Sequence, residues 1–165
     1  MGRIDLNITF HTYPGGEGLE SSDLALIALA QEAARKAYAP YSGFRVGAAV
    51  QLENGETIPG NNQENVAYPS GLCAERVALF NASARYPGVA VKTLAIAAET
   101  GRFTLQTPVY PCGACRQVMS EYETIQGRPI RVLMTGPGYD TVEASSVNDL
   151  LPLRFAADQL RNETK

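Results

Sequence analysis

The sequence predicts a single α/β domain in which helices cover a mixed β-sheet. One observation is the order of its segments, which alternate as strand, helix, hairpin, helix, strand, helix and strand. The other is size, because 165 residues make about one domain and a 45% hydrophobic fraction can fill its interior. We therefore predict one domain over residues 1–165, with residues 1–20 as an N-terminal extension.

The first predicted element is a strand over residues 3–12, where apolar and polar side chains alternate with the period of two expected of a strand with one buried face. A turn-rich stretch, residues 13–18, follows. A helix is then predicted from about 22 to 38, since Ser21 and its neighbours supply capping side chains before an alanine- and leucine-rich run. Pro40 ends this helix because the residue before a proline is disfavoured in helical geometry.

A β-hairpin is the next predicted element. Residues 44–52 and 56–60 form its strands, and Asn54-Gly55 is a strong signal for a two-residue turn. The small residues at 47–49 in the first strand predict that a helix packs closely on the sheet at this point.

The second half of the chain alternates helices with short apolar strands. Proline at the start of the 111–122 segment favours a helix there, because a first-turn proline has no N–H to leave unpaired. The predicted elements are helices at 73–84 and 111–122, strands at 91–98 and 129–134, and a short terminal helix at 156–161.

Charge and hydropathy exclude two classes of partner. The 14 basic and 17 acidic residues are spread along the chain and give a net charge of −3, so there is no basic patch for a nucleic-acid backbone. The longest apolar run near the N-terminus, residues 24–30, is far shorter than the ~20 residues needed to cross a bilayer, and no secretion signal precedes it. We expect a cytoplasmic protein with no nucleic-acid or membrane partner.

Three cysteines, Cys73, Cys112 and Cys115, are the candidate metal ligands. A catalytic zinc ion typically takes three protein ligands and keeps its fourth position for water. Cys112 and Cys115 stand at a predicted helix start with the spacing that lets both sulfurs face one side of the first turn. Arg76 follows Cys73 closely enough to donate to its sulfur, although a solvated helix arginine has the same spacing. His11, the only histidine, has no spacing relation to the cysteines.

Two other functions would use the same cysteines. The Cys-Gly-Ala-Cys sequence at a helix start also suits thiol–disulfide exchange, because a helix N-terminus lowers the pKa of a thiol. A zinc ion that only holds the fold together would bind the same sulfur atoms. Composition and spacing leave these alternatives open.

The cysteine motifs together with their neighbours resemble those of the short, homotetrameric cytidine deaminases, in which three cysteines hold the zinc. The likeness covers most of the chain, from about residue 24 to 160, and is carried by residues 38–49, 62–65, 73–76, 111–117 and 150–152 with Phe155. It implies a three-layer α/β/α fold with a mixed sheet of roughly five strands, to which the N-terminal strand is an addition. It also implies one Zn²⁺ per subunit and a homotetramer whose active sites are shared between subunits.

The resemblance implies a role for each residue of the site. Glu75 is the catalytic proton carrier, although by itself it would also suit a helix-capping carboxylate. The other implied roles are zinc binding by Cys73, Cys112 and Cys115, hydrogen bonding to sulfur by Arg76, packing on the base or sugar by Phe44, hydrogen bonding to the ribose 3′-hydroxyl by Asn62 and Glu64, orientation of the base carbonyl by the backbone of Ala74, and completion of a neighbouring subunit's site by Tyr68 and Phe155.

The reaction implied is hydrolytic deamination of cytidine and 2′-deoxycytidine to uridine and 2′-deoxyuridine, with release of ammonia, in pyrimidine salvage. Zinc lowers the pKa of a bound water from 15.7 towards about 7, which supplies a nucleophile for C4 of the base. A carboxyl group then moves protons to N3 and to the departing ammonia. A related aminopyrimidine nucleoside, such as a blasticidin-type antibiotic, is an alternative substrate, and a non-catalytic zinc or thiol-redox module is the alternative from another class.

Overall fold

The computed structural model describes residues 1–102, 104–156 and 160. Single 3₁₀ turns occur at Pro14–Gly16, Tyr68–Ser70 and Pro137–Tyr139. The helices and strands of the described residues are β1 Phe10–Tyr13, α1 Ser21–Arg35, β2 Phe44–Leu52, β3 Thr57–Asn61, α2 Ala74–Arg85, β4 Val91–Thr100, α3 Gly113–Gln126, β5 Arg131–Thr135, β6 Thr141–Ala144 and α4 Val147–Leu150.

The strands form one mixed sheet in the order β1-β6-β5-β4-β2-β3. β4 and β5 pair in parallel with α3 as their crossover, and the other neighbouring strands pair antiparallel. A parallel pair needs such a crossover, whereas antiparallel neighbours need only a short turn. The predicted α/β fold with a mixed sheet is confirmed.

Helices cover both faces of the sheet, which makes three layers. Alternate residues of β2 point to opposite faces, so Ala49 packs in the same core cluster as Ile27 of α1. Ala48 belongs to the cluster on the other face, which contains Leu79 of α2 and Met119 of α3. The helices α2 and α3 therefore share one face of the sheet.

Two glycines set how closely the helices approach the hairpin. A Cβ atom on Gly47 would lie 1.9 Å from the carbonyl oxygen of Ala30, so α1 touches β2 directly, as the small residues at 47–49 predict. A Cβ atom on Gly60 would lie 2.4 Å from the backbone nitrogen of Ala78, so α2 rests on β3 in the same way.

The N- and C-terminal predictions differ from the structure in part. Of the predicted 3–12 strand, only residues 10–12 pair with a neighbour, and the observed strand extends one residue further to Tyr13, because β6 spans only four residues, Thr141–Ala144. β6 was not predicted, since it is shorter than a typical periodic pattern. Helix α1 ends at Arg35, three residues before the predicted end, and most of the predicted 156–161 helix lies outside the described residues.

None of the helices in the described part of the chain is long and apolar enough to cross a membrane.

Candidate metal centre and pocket

The three predicted metal ligands lie at the N-termini of α2 and α3. Cys73 and Cys112 are the N-cap residues of these helices, and both have extended backbone conformations. Cys115 lies in the first turn of α3. The Sγ atoms of Cys73 and Cys112 are 3.9 Å apart, those of Cys112 and Cys115 are 3.5 Å apart, and all three lie within 4.8 Å of one another.

This spacing fits a zinc ion. Zinc–sulfur bonds of about 2.3 Å in tetrahedral geometry place the sulfur atoms about 3.8 Å apart. The two sulfur–sulfur distances above, 3.9 and 3.5 Å, lie on either side of that value. Three protein donors leave the fourth tetrahedral position for water or substrate. His11 lies on the edge strand β1, opposite Glu143, and is not part of the group.

Hydrogen bonds and charges around the cysteines favour the thiolate form of Cys73. Together they lower the pKa of the Cys73 thiol to about 5, and the hydrogen bond with Cys115 is the largest cause. The Arg76 guanidinium, 3.6 Å from the Cys73 Sγ atom, lowers it further. The contact with Cys73, together with burial, raises the pKa of Cys115 above its ordinary value. The free N–H groups and the positive dipole ends of two helices also offset the negative charge of a thiolate cluster.

Glu75 lies beside this cluster, in the first turn of α2, and is only 4% exposed. Burial is the main cause that raises the pKa of its carboxyl group above the usual range, and the charge of Cys73 raises it further. A carboxyl group in such surroundings can take up and release a proton near neutral pH more readily than an exposed one.

A cavity of about 650 Å³ opens onto the cluster. Four of the predicted substrate contacts line it together with Cys73 and Cys112: these are Phe44, Asn62, Glu64 and Tyr68. Glu75 and Arg76 line it as well. Ala74, the first residue of α2, is fully buried.

The two aromatic residues predicted to complete a neighbouring subunit's site lie in different places relative to the pocket of their own chain. Tyr68, which the resemblance places in a neighbouring subunit's site, lines the pocket of its own chain, and its ring packs edge-on against Tyr41 at 6.2 Å. Phe155 is not among the lining residues of its own chain's pocket and is 60% exposed. The backbone carbonyl of Phe155 accepts a hydrogen bond from the Gln117 side chain at 2.8 Å.

The side chains of Asn62 and Glu64 are already bonded to the protein. Asn62 accepts from the backbone N–H of Val46 at 2.7 Å and donates to the carbonyl of Phe44 at 3.0 Å. Glu64 accepts from two backbone N–H groups and from the Ser42 hydroxyl. Each side chain keeps hydrogen-bonding capacity for a ligand, because an amide oxygen has two lone pairs and a carboxylate about four acceptor sites.

Sequence reasoning gave no role of their own to several lining residues, among them Tyr41, Ser42 and Tyr110. Tyr41 and Ser42 come from the loop before β2, and the Glu64 carboxylate that fixes this loop is 22 residues away along the chain. No local pattern indicates such a contact. The signals in the sequence are the Ser42-Gly43 turn and the position of this loop within the family-like segment 38–49.

Comparison with known proteins gives a consistent result. The family model for the cytidine and deoxycytidylate deaminase zinc-binding region matches residues 20–127. A cytidine deaminase from Sporosarcina psychrophila is 42% identical over 136 residues, which is 82% of this chain and 92% of the relative. A cytidine deaminase from Mycobacterium tuberculosis is 35% identical over 139 residues, which is 82% of this chain and 91% of the relative.

A solved structure shares the fold as well. The crystal structure of cytidine deaminase from Burkholderia pseudomallei is 43% identical and has a TM-score of 0.69. The superposition covers 80% of this chain and 98% of that chain.

Proposed function

The chain belongs to the cytidine and deoxycytidylate deaminase family, and from this premise we propose that it deaminates cytidine and 2′-deoxycytidine by hydrolysis, giving uridine or 2′-deoxyuridine and ammonia. The observation that carries the proposal is a cluster of three cysteine sulfur atoms at a cavity that Cys73, Cys112 and the buried Glu75 line. Ligand cavities of about 300–1,000 Å³ are usual for small molecules, and 650 Å³ falls within that range.

Cys73, Cys112 and Cys115 hold the zinc ion in this proposal. When bound, zinc lowers the pKa of a water molecule towards about 7 and so supplies the nucleophile at neutral pH. The Arg76 guanidinium donates to the Cys73 sulfur and withdraws electron density from it, which keeps the ion electron-poor.

Glu75 moves the protons. In the overall reaction, one proton of water reaches N3 of the base and the other leaves with the amino group as ammonia, while the water oxygen becomes the carbonyl oxygen at C4. A single carboxyl group can carry both protons if it alternates between its two protonation states. Burial supports this role because it raises the pKa of the Glu75 carboxyl group and so favours its proton-bearing form.

The pocket walls select a nucleoside. Asn62 and Glu64 offer their remaining hydrogen-bonding capacity to the ribose 3′-hydroxyl, and Phe44 supplies an apolar surface for the base or sugar. The first N–H groups of α2, which begin at Ala74, have no partner within the helix and are suited to the base carbonyl.

The subunits associate as a homotetramer in which Phe155 completes the pocket of a neighbour. Support comes from Phe155, which is exposed and lies outside its own pocket, and from Leu153, two residues earlier in the chain, which is 78% exposed. An exposed apolar segment of this kind suits burial against a second copy of the chain.

A Glu75→Gln variant tests the function. We expect it to fold, to keep its zinc, and to lose at least ~10²-fold in kcat for cytidine, because a positioned acid–base group contributes that much or more. Turnover is followed by loss of cytidine absorbance. The matched control is Glu121→Gln, an exposed residue of α3, which should retain full activity.

Two outcomes would contradict the proposal. Full activity of Glu75→Gln would remove this carboxyl group from the mechanism. Zinc-loaded wild-type protein that turns over neither cytidine nor 2′-deoxycytidine would exclude the substrates, and turnover of a blasticidin-type nucleoside by the same preparation would identify the alternative. Inactivity on all three would favour a non-catalytic zinc module.

A further inference from the structure

The loop of residues 41–44 forms one wall of the pocket, to which it contributes Tyr41, Ser42 and Phe44. One side of this loop is held by Glu64. The Glu64 carboxylate accepts from the backbone N–H of Tyr41 at 2.8 Å, from that of Ser42 at 3.2 Å, and from the Ser42 hydroxyl.

Arg102 holds the other side of the loop. Its guanidinium donates to the carbonyl oxygen of Tyr41 at 2.8 Å. This carbonyl and the Ser42 N–H belong to the same peptide unit, so the unit is bonded to a cation through its oxygen and to an anion through its nitrogen. Opposite charges at the two ends of a peptide dipole fix its orientation more strongly than neutral partners would.

The Arg102 side chain can reach the Tyr41 carbonyl because Gly43 has no side chain. A Cβ atom on Gly43 would lie 2.6 Å from the Arg102 Nε atom and 3.0 Å from its Cδ atom, so the arginine side chain rests on the bare glycine backbone. Gly43 also has a φ of +68°, which disfavours other residues. Any side chain at this position would displace Arg102.

We propose that Arg102 is a positioning residue for substrate binding, which holds loop 41–44 so that Tyr41 and Phe44 meet the nucleoside. The proposal rests on the proposed function, since the nucleoside is the ligand considered. Arg102 itself is exposed and is not among the lining residues of the pocket. It acts through the Tyr41 carbonyl and has no part in the chemical step.

Arg102 is expected to affect KM more than kcat. The cysteines and Glu75 lie on or next to α2 and α3, whereas loop 41–44 carries none of them. Loosening the loop therefore weakens the fit of the substrate and leaves the reacting groups in place.

The Glu64 carboxylate on the other side of the loop is held in its ionised form. The hydrogen bond from the Ser42 hydroxyl is the main cause that lowers the pKa of Glu64, and the positive charge of Arg102 lowers it further, so the carboxylate remains an acceptor.

The test compares Arg102→Met with Arg128→Met. We expect Arg102→Met to raise KM for cytidine about fivefold with kcat within about twofold, which corresponds to the loss of one exposed charge-assisted hydrogen bond. In Arg102→Lys, KM should rise less than in Arg102→Met, because an ammonium group can still donate to the Tyr41 carbonyl. Arg128, an exposed arginine whose ion pair is with Glu53, should be replaceable without effect.

Amide hydrogen exchange provides a readout that does not depend on the substrate. The Ser42 and Gly43 amides should exchange faster in Arg102→Met than in Arg128→Met, while amides of α2 stay protected. Unchanged KM and unchanged exchange in Arg102→Met would overturn the proposal, and so would equal losses in kcat and zinc content. If wild-type protein did not turn over cytidine, the proposed function would fail, and unchanged exchange alone would then refute the role of Arg102 in holding the loop.

Discussion

At the scale of single residues, Gly60 decides where α2 lies, and with it Cys73 and Glu75. The backbone of β3 at Gly60 contacts the backbone of α2 with no side chain between them. Because interiors are close-packed, the helix has no room to accept even one methyl group at this contact. The metal site therefore depends on a glycine on the neighbouring strand.

Replacing Gly60 with alanine should destabilise the protein. The new Cβ atom would lie 2.4 Å from the nitrogen of Ala78 and 2.8 Å from the oxygen of Ala74, and both are backbone atoms that cannot move independently of the helix. We expect a loss of about 1–3 kcal/mol in the free energy of unfolding, measured by urea denaturation of the zinc-loaded protein.

The matched control for this change is Gly101→Ala, where nothing lies within 4 Å of the added atom. It should change the free energy of unfolding by no more than about 0.5 kcal/mol. Equal stability of the two variants would show that α2 does not rest on Gly60.

The hydrogen-bond partners of Asn62, Glu64 and Arg102 within the protein show what sequence alone could not give at this scale. The cysteine motifs are local, with their spacing written directly in the chain, so the metal ligands and Glu75 could be proposed from it. Arg102 reaches Tyr41 across 61 positions, and Asn62 reaches Val46 across 16. Partners at such separations are set by the fold and leave no periodic signal.

At the scale of elements, a charged cluster ties the N-terminal strand to the rest of the sheet. Arg131 of β5 bonds both carboxylate oxygens of Asp23 in α1, at 2.6 and 2.8 Å, and Glu143 of β6 at 2.8 Å. The Tyr13 hydroxyl in β1 donates to the same Glu143. The Arg131 guanidinium thus links β5 directly to α1 and β6, and it links β5 to β1 indirectly through Glu143.

Replacing Arg131 with methionine should leave two mostly buried carboxylates without their cation. Removing one member of a buried charged pair costs about 3–5 kcal/mol, and the 31% exposure of the Arg131 side chain favours the lower end. We expect the free energy of unfolding to fall by about 3 kcal/mol, as measured by urea denaturation.

Arg3→Met serves as the control, because its ion pair with Asp5 is almost fully exposed. Its effect should be below about 0.5 kcal/mol, as for most surface pairs. If both variants unfolded at the same urea concentration with the same slope, the cluster would have no role in holding the elements together.

Local sequence patterns predict the positions of most elements, but they do not predict the extent of β1 or the presence of β6 at one edge of the sheet. The alternation in residues 3–12 is the same whether or not a partner strand is available, so the pattern could not show that pairing begins only at Phe10. β6, with four residues, is too short for a period to be recognised. The helices α1, α2 and α3, each of 12 residues or more, lie within a few residues of their predicted bounds.

At the scale of the whole molecule, the C-terminal segment connects the site to the surface. Arg116 in the first turn of α3 donates to the carbonyls of Pro111 and Leu150, and Gln117 holds the carbonyl of Phe155. The segment that carries Phe155 is therefore fixed to the helix that carries Cys115. Phe155 itself is 60% exposed, and in the proposed homotetramer its ring reaches a neighbouring subunit.

Mixing two inactive variants tests this sharing of sites. Phe155→Ala should stay tetrameric by light scattering but lose activity, as Glu75→Gln does for a different reason. Co-refolded tetramers of the two should regain about a quarter of the wild-type activity, because random assembly pairs an intact Glu75 with a neighbour's intact Phe155 in that fraction of sites. A fully active monomer, or mixtures with no more activity than their parents, would contradict the shared pocket.

The most direct test of the account is a zinc titration of turnover in a single preparation. The protein is freed of zinc with a chelator, and cytidine turnover is measured as zinc is returned in known amounts. We predict no turnover at the start and a linear rise that ends at one zinc per chain, where the three cysteines are saturated. Full turnover before any zinc is added, or a fully zinc-loaded chain that leaves cytidine unchanged, would contradict it.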